Sequence, residues 1–134
     1  MPTRENDMRR RFRKHYTLEE ARALLPKIRE WFTEIHELRR RLKQLDERIA
    51  QLISDGADAG GDSVHNQVKL LSELQSALQE FERREIQIKD VDRGLIDFPA
   101  IVGGREVFLC WEQDEEDIEF WHELDTGYAG RERL

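Results

Sequence analysis

The residues best suited to chemistry lie in the last third of the chain. Asp92 and Asp97 follow a predicted helix, while His122 and Arg131 belong to the closing segment. A histidine can act as acid, base or metal ligand, and an arginine can grip a carboxylate or phosphate with two hydrogen bonds. The sequence thus indicates one candidate ligand pocket, formed by Asp92, Arg93, Asp97, Trp111, Trp121, His122 and Arg131. The alternative is a structural role, in which aromatic packing and an ion pair of Arg131, for instance with Asp92 or Asp97, fix the tail.

Several other kinds of site find no support. The segment 90–97 carries half of a calcium-loop pattern, but its glycine comes one position early and no glutamate stands at the twelfth position. No Gly-x-Ser-x-Gly motif is present, and the segment 60–63 lacks the lysine of a phosphate loop. Cys110 is expected to be a buried strand residue, and no histidine pair has zinc-site spacing. The sequence therefore assigns no cofactor, no set of metal ligands and no catalytic residue.

Composition favours long amphipathic helices. Apolar and charged residues each make up 38% of the 134 residues, and the net charge is −7. Such a chain has few core-forming residues and suits helices that bury only one apolar stripe along their surface. We expect one cytoplasmic domain, because neither a membrane span nor a signal peptide is apparent. The basic run Arg9–Lys14 could touch nucleic acid, but the acidic remainder disfavours that function.

Two helices are predicted from apolar spacing. Thr17 and Glu20 form a capping-box pattern, after which apolar residues recur with alternating steps of three and four: Ile28, Trp31, Ile35, Leu38, Leu42, Leu45, Ile49 and Leu52. A Gly/Asp-rich loop over 54–63 separates this seam from a second one, which runs from Val64 to Ile88 with the same steps. The short loop and the matching seams predict an antiparallel coiled-coil hairpin.

The period then changes to that of strands. Residues 95–102 and 105–111 are rich in β-formers and flank Gly103-Gly104, which is a two-residue hairpin signal. An acidic turn precedes a third strand over 118–122. The predicted fold class is thus α+β and mostly helical, a long antiparallel two-helix coiled-coil hairpin with a small C-terminal three-stranded antiparallel β-meander. Its parts are a basic, flexible arm (1–15) and a single domain (16–134), divided into helix one (16–53), loop (54–63), helix two (64–89) and meander with tail (90–134).

A family resemblance rests on three blocks of the chain. They are YTLEEA with LLP near residue 16, KDVDRGLIDFPA from Lys89 to Ala100 with GREV and LCW, and WHELD from Trp121 followed by Gly127, Gly130 and Arg131. Together they resemble a bacterial family called domain of unknown function 2203 over residues 15–134. The resemblance implies a cytosolic protein without an assigned activity and suggests that any site lies at the β end.

Two functions follow as hypotheses. The first is an interaction or structural module that forms a homodimer through the hairpin, because Phe32, Ile53, Val68 and Leu70 lie beside the seam, and that docks a protein partner at its β end. The second is a small-ligand or metal-binding module, a class that includes enzymes, using Asp92, Asp97, His122 and Arg131. Neither hypothesis involves a membrane.

Overall fold

A computed structural model describes residues 9–57 and 60–134 of the chain. The described residues form two long α-helices followed by a five-stranded antiparallel sheet, so the fold class is α+β. The elements are α1 (Leu18–Ser54), α2 (Gly61–Glu82), β1 (Gln87–Asp90), β2 (Leu95–Val102), β3 (Arg105–Trp111), β4 (Phe120–Glu123) and β5 (Glu132–Arg133), with a short 3-10 helix at Tyr128–Gly130. The predicted arm up to residue 8, and residues 58 and 59 of the predicted loop, lie outside the described residues.

The chain divides into two compact units. One unit comprises the described residues up to Arg29 together with Phe81–Leu134, and the other comprises the described residues of Glu30–Glu80. The first unit therefore contains the sheet, the start of α1 and all the candidate site residues. The second unit consists of the remaining parts of α1 and α2. None of the described helices has an apolar stretch long enough to cross a membrane.

The start of α1 confirms the predicted capping box. The backbone N–H of Glu20 donates to Thr17 Oγ1, and the backbone N–H of Thr17 donates to Glu20 Oε1, both at 3.1 Å. Two of the backbone donors that a helix start leaves unpaired are thereby satisfied. Within the first unit, Ala21, Leu25 and Ile28 are buried, with the spacing of one helix face.

In the second unit the apolar stripe is buried at one end and exposed at the other. Trp31, Ile35 and Leu38 are buried, Leu42, Leu45 and Ile49 are half-buried, and Leu52 and Val64 are exposed. Gln67 Nε2 on α2 donates to Asp46 Oδ1 on α1 at 2.7 Å. The predicted coiled-coil pairing of the two helices stays a prediction.

The predicted number of three strands is wrong, since the sheet has five. β1 was assigned to the second helix because Glu85 and Ile88 continue its steps of three and four. In the structure α2 ends at Glu82, Glu85 adopts a φ of 57°, and the N–H of Ile86 donates to the carbonyl of Phe81 at 3.1 Å. A left-handed residue closed by such a bond ends a helix, so the chain beyond Glu85 is free to form a strand. β5, of two residues, is too short to produce a sequence pattern.

The sheet order is β1-β2-β3-β4-β5, with every neighbouring pair antiparallel. The predicted Gly103-Gly104 hairpin is confirmed, because both glycines have positive φ and Val102 pairs with Arg105. Pro99 lies in β2 beyond the end of β1, and its carbonyl accepts a hydrogen bond from the N–H of Tyr16 at 2.7 Å. Because N–H and C=O of a strand residue point the same way, the missing N–H of Pro99 costs no β2–β3 hydrogen bond.

The two faces of the sheet carry different side chains. Cross-strand partners share a face, so Ile96 and Trp111 lie on one side while Asp97 and Cys110 lie on the other. The first face contacts the start of α1, where the Arg29 guanidinium lies 4.9 Å from the centre of the Trp111 ring. The second face, which we call the polar face, also carries Phe108 and its cross-strand partner His122.

Candidate functional site

The centre of the candidate site is a buried pair on the polar face of the sheet. Asp97 on β2 and His122 on β4 lie two strands apart, and His122 Nε2 is 2.9 Å from Asp97 Oδ1. Both side chains are almost wholly buried, with 2% and 1% of their surfaces exposed. The second ring nitrogen, His122 Nδ1, lies 2.7 Å from the carbonyl oxygen of Glu123.

These contacts fix how protons are placed in the pair. A carbonyl oxygen can only accept a hydrogen bond, so His122 Nδ1 must carry a proton. The contact between Nε2 and Asp97 needs one further proton, which either makes His122 a cation beside a carboxylate or leaves both groups neutral. In both arrangements the pair is neutral overall and holds one proton that can move between the two residues.

Burial controls the titration of the acidic groups on this face. Loss of hydration raises the pKa of Asp97, while the charges of His122 and Lys89 act in the opposite direction. Burial also raises the pKa of Cys110 to about 12, with a further contribution from the neighbouring Asp97 charge. The Cys110 thiol is therefore protonated at neutral pH and can donate a hydrogen bond to Asp97.

A cavity of about 350 Å³ lies above the Asp97–His122 pair. Both members of the pair contribute to its lining, and the apolar part of the wall comes from Leu95, Phe108, Leu124 and Tyr128. Lys89, Asp125, Thr126 and Gly127 complete the lining. The Lys89 ammonium is 5.3 Å from the centre of the Phe108 ring, which places a cation on this wall.

The chain segment after β4 forms one side of the cavity because it can turn sharply. Gly127 has a φ of 67°, a conformation that side chains other than glycine rarely adopt. Gly130 has no room for a side chain, since an added Cβ would lie 2.7 Å from the Cβ of Thr126. The two glycines of the closing segment are thus needed for the shape of this wall.

The segment before α1 packs against the same face of the sheet. The Phe12 ring lies 5.4 Å from the Phe108 ring, and the backbone N–H groups of Arg11 and Phe12 donate to the carboxylate of Glu106. His15 Nε2 also lies 2.8 Å from Glu106 Oε2. These contacts attach residues 11–15 of the predicted arm to β3.

The structure brings together only part of the residue set predicted from the sequence. Asp97 and His122 are in direct contact. Trp111 and Trp121 lie on the opposite face, where Trp111 Nε1 donates to the carbonyl of Glu115 at 3.0 Å. Neither tryptophan lines the cavity.

Two other predicted residues form a separate surface depression. Asp92 and Arg93, in the turn between β1 and β2, line it with residues 112–114. Arg93 donates to Glu112 Oε2 at 2.5 Å, and its guanidinium lies over the Tyr128 ring at 4.4 Å. This depression is distinct from the cavity above Asp97.

Arg131 forms an ion pair and packs on aromatic rings, but its carboxylate partner is Glu115 and not Asp92 or Asp97, which the sequence offered as examples. Arg131 Nη1 donates to Glu115 Oε1 at 3.1 Å, and its guanidinium lies 3.9 Å and 4.2 Å from the ring centres of Phe120 and Tyr128. The acidic turn between β3 and β4 places Glu115 beside Arg131, and the spacing of residues in the sequence did not predict this contact. Arg131 nevertheless lies near the site, because its Nη1 is 4.0 Å from Cys110 Sγ.

Sequence reasoning missed the contribution of Cys110, Lys89 and Phe108. Cys110 was correctly expected to be a buried strand residue, but its position beside Asp97 was not noticed. The Gly103-Gly104 turn fixes the register of β2 and β3, and that register makes Asp97 the direct partner of Cys110. The signal was therefore present in the hairpin, whereas nothing in the sequence predicted β1, which carries Lys89.

Comparison with known proteins places this site within a family. A family model described as "Uncharacterized conserved protein (DUF2203)" matches residues 14–134. The chain belongs to this family. The DUF2203 match spans the sheet, the cavity and the Asp97–His122 pair, and it agrees with the resemblance noted from the three sequence blocks. No curated protein and no solved structure gave a significant match.

Proposed function

We propose that the protein binds a small molecule in the cavity above the Asp97–His122 pair. The observation that carries this proposal is the pair itself, which is almost wholly buried and yet contributes to the lining of a cavity of about 350 Å³. Burying two ionisable groups costs free energy of hydration, so their retention beside a cavity favours a functional use. Pockets of a few hundred Å³ with apolar walls and a few converging polar groups are typical ligand sites.

The lining indicates a ligand with an apolar body and one anionic group. The rings of Phe108 and Tyr128 and two leucines suit a flat or aliphatic body. Lys89 supplies a positive charge, whereas the nearby Asp125 carboxylate is paired with Arg11 Nη2 at 3.1 Å. The net preference at this side of the cavity is therefore for an anion.

The pair at the bottom of the cavity can take part in proton exchange with such a ligand. The hydrogen bond to the Glu123 carbonyl keeps one proton on His122 Nδ1. The second proton, which His122 Nε2 shares with Asp97, is available for donation to the ligand. The proposal keeps Asp97 and His122 from the sequence hypothesis and adds Lys89. Arg131 does not line the cavity, although its Nη1 lies 4.0 Å from Cys110 Sγ, and Asp92 and Arg93 belong to the other depression.

The proposal is tested by amide NMR titration with benzoate and phenyl phosphate. Binding in the cavity is expected to shift the amide signals of residues 122–128 most strongly. Lys89→Met is expected to weaken binding about fivefold, which corresponds to about 1 kcal/mol for one charge contact near the surface. Lys69→Met, an exposed lysine of the second unit, is the matched control. Absence of shifts at residues 122–128, or equal weakening by both lysine changes, would contradict the proposal.

A second candidate function is self-association through the helices. Five large apolar side chains among the described residues of the second unit are exposed, with exposed fractions from 37% to 61%: Leu52, Ile53, Val64, Val68 and Leu71. Burial of such a cluster against a second copy would remove apolar surface from water. Phe32, which the sequence placed beside the free seam, is fully buried within the chain and cannot belong to this surface.

Light scattering tests the self-association. A dimer is expected to have twice the chain mass of 16.0 kDa, and the double change Ile53→Glu with Val68→Glu is expected to return it to a monomer. Val102→Glu is the control, because Val102 is similarly exposed but lies in the first unit. A mass of 16.0 kDa at millimolar concentration would reject this function.

A further inference from the structure

The polar face of the sheet brings three metal-ligating side chains together. Asp97, Cys110 and His122 come from β2, β3 and β4, and their ligand atoms all lie within 4.8 Å of one another. All three residues are buried. We propose that they bind a zinc ion through Asp97 Oδ, Cys110 Sγ and His122 Nε2. This inference deepens the proposed function and rests on it, because the zinc ion would take the place of the proton that Asp97 and His122 share at the cavity.

The donor set suits zinc in its chemistry. Zinc binds thiolate, imidazole and carboxylate ligands, and it usually arranges four of them in a tetrahedron. With zinc–ligand bonds of about 2.1 Å, tetrahedral nitrogen and oxygen ligands lie about 3.4 Å apart. Asp97 Oδ1 and His122 Nε2 are 2.9 Å apart, so metal entry requires these two atoms to separate by about 0.5 Å.

Contacts behind the ligands support the same assignment. The Glu123 carbonyl holds the proton of His122 on Nδ1, which leaves Nε2, 2.9 Å from Asp97 Oδ1, as the nitrogen that can bind the metal. Metal-binding histidines usually have such a partner on the other ring nitrogen, because it fixes the tautomer and the ring orientation. Cys110 is a thiol without metal and would lose its proton on binding zinc, and the positive charge of Arg131 Nη1, 4.0 Å from Cys110 Sγ, favours that thiolate.

The position of the cavity indicates an open fourth ligand site. Asp97 and His122 contribute to the cavity lining, whereas Cys110 does not. A metal between the three residues would therefore face the cavity on the side of Asp97 and His122. Zinc sites with three protein ligands and one open position are typical of catalysis and ligand binding, whereas structural sites have four protein ligands.

Metal binding to the full chain tests this inference. Metal-free protein is dialysed against zinc and analysed for bound metal, and it is separately loaded with cobalt, whose thiolate charge-transfer absorption reports the Cys110 bond. One metal per chain is expected. Cys110→Ser is expected to abolish the charge-transfer band and to weaken zinc binding at least about tenfold. Because serine is close in shape to cysteine, this variant is expected to fold, and circular dichroism checks that it does.

A matched histidine change separates a built site from adventitious binding. His122→Gln is expected to abolish stoichiometric binding, whereas His15→Gln, which removes another histidine paired with a carboxylate, is expected to leave it unchanged. Absence of stoichiometric zinc, or an unaltered cobalt spectrum in Cys110→Ser, would overturn the metal site. Benzoate titration of the metal-free and zinc-loaded proteins distinguishes the failures. Benzoate binding without zinc binding leaves the proposed function standing alone, and zinc binding without benzoate binding contradicts only the proposed function.

Discussion

At the scale of single residues, a backbone carbonyl determines which ring nitrogen of His122 carries a proton. The Glu123 carbonyl accepts from Nδ1, so the remaining ring nitrogen must share a proton with Asp97. Among the described residues, no buried side-chain nitrogen or oxygen is without a hydrogen-bond partner. Loss of either member of the pair would therefore leave a polar group buried and unpaired, which costs more free energy than the bond itself contributes.

Asp97→Ala is expected to lower the free energy of unfolding by about 1–3 kcal/mol in metal-free protein, because His122 Nε2 loses its buried partner. Urea unfolding followed by circular dichroism measures the change. Asp114→Ala, at an exposed position, is the control and is expected to alter stability by less than about 0.5 kcal/mol. Equal effects of the two changes would show that the pair contributes nothing to stability.

Tyr16 gives the protein a sensitivity to alkaline pH. Its hydroxyl donates to the Arg84 carbonyl at 2.7 Å, and burial raises the pKa of Tyr16 from 10.0 to about 12. Above a pH of about 10 the unfolded chain ionises Tyr16 while the folded chain keeps it neutral. Its contribution to stability is therefore complete below about pH 10 and is lost as the pH rises towards 12.

Tyr16→Phe is expected to cost about 1 kcal/mol at neutral pH through loss of the hydrogen bond. Between pH of about 9.5 and 11.5, the variant is expected to lose less unfolding free energy than the wild type. Urea unfolding at a series of pH values measures both slopes. Parallel slopes would contradict a raised pKa for Tyr16.

At the scale of elements, contacts with other elements and glycines in turns hold the segments that connect helices and strands. The segment before α1 is held by side chains of other elements, since the N–H groups of Arg13 and Lys14 donate to the carboxylate of Glu85. Gly94, in the turn between β1 and β2, combines a φ of 61° with a close approach of Gln113. Gly103 has a similar φ of 58° but open space around it.

Gly94→Ala is expected to destabilise the protein by more than Gly103→Ala does. Both changes place a side chain in the left-handed region, at a cost of about 1 kcal/mol or more. Only at Gly94 would the new Cβ also lie 2.7 Å from the Cβ of Gln113, so the backbone there must shift. Thermal and urea unfolding of the two variants measure the difference. A larger loss in Gly103→Ala would contradict the steric explanation.

At the scale of the whole molecule, the two units differ in how many of their residues are buried. Strands β2 and β3 of the first unit carry long runs of buried residues, from Leu95 to Ala100 and from Val107 to Trp111. In the second unit, all the described residues from Ala50 to Asp62 are exposed. Local opening costs little where few apolar contacts are broken, so stability is expected to vary along the chain.

Hydrogen–deuterium exchange of dilute protein is expected to show this gradient. Amides of β2 and β3 should exchange slowest, and those of residues 50–54 at the end of α1 should exchange much faster although they are helical. Mass spectrometry of peptic peptides measures the rates. Slower exchange at residues 50–54 than in β3 would contradict the burial pattern.

Local patterns predicted much of the fold, because they depend on residues close in the chain. Thr17 and Glu20 are three residues apart and determine the helix start by themselves. The Gly103-Gly104 pair likewise fixes the β2–β3 hairpin. The prediction failed at Ile88, where helical spacing continued beyond the true helix end because the left-handed turn at Glu85 has no glycine to signal it.

The sequence by itself determined the helix start, the central hairpin and the pairing of Asp97 with Cys110 that follows from the hairpin register. Only the tertiary structure decided that His122 reaches Asp97, that Arg131 pairs with Glu115, and that Lys89 stands beside the cavity. The physical reason is the length of the connections. A two-residue turn leaves its strands one arrangement, whereas the longer segments before β4 and after β4 are positioned by side-chain contacts that no sequence spacing specifies.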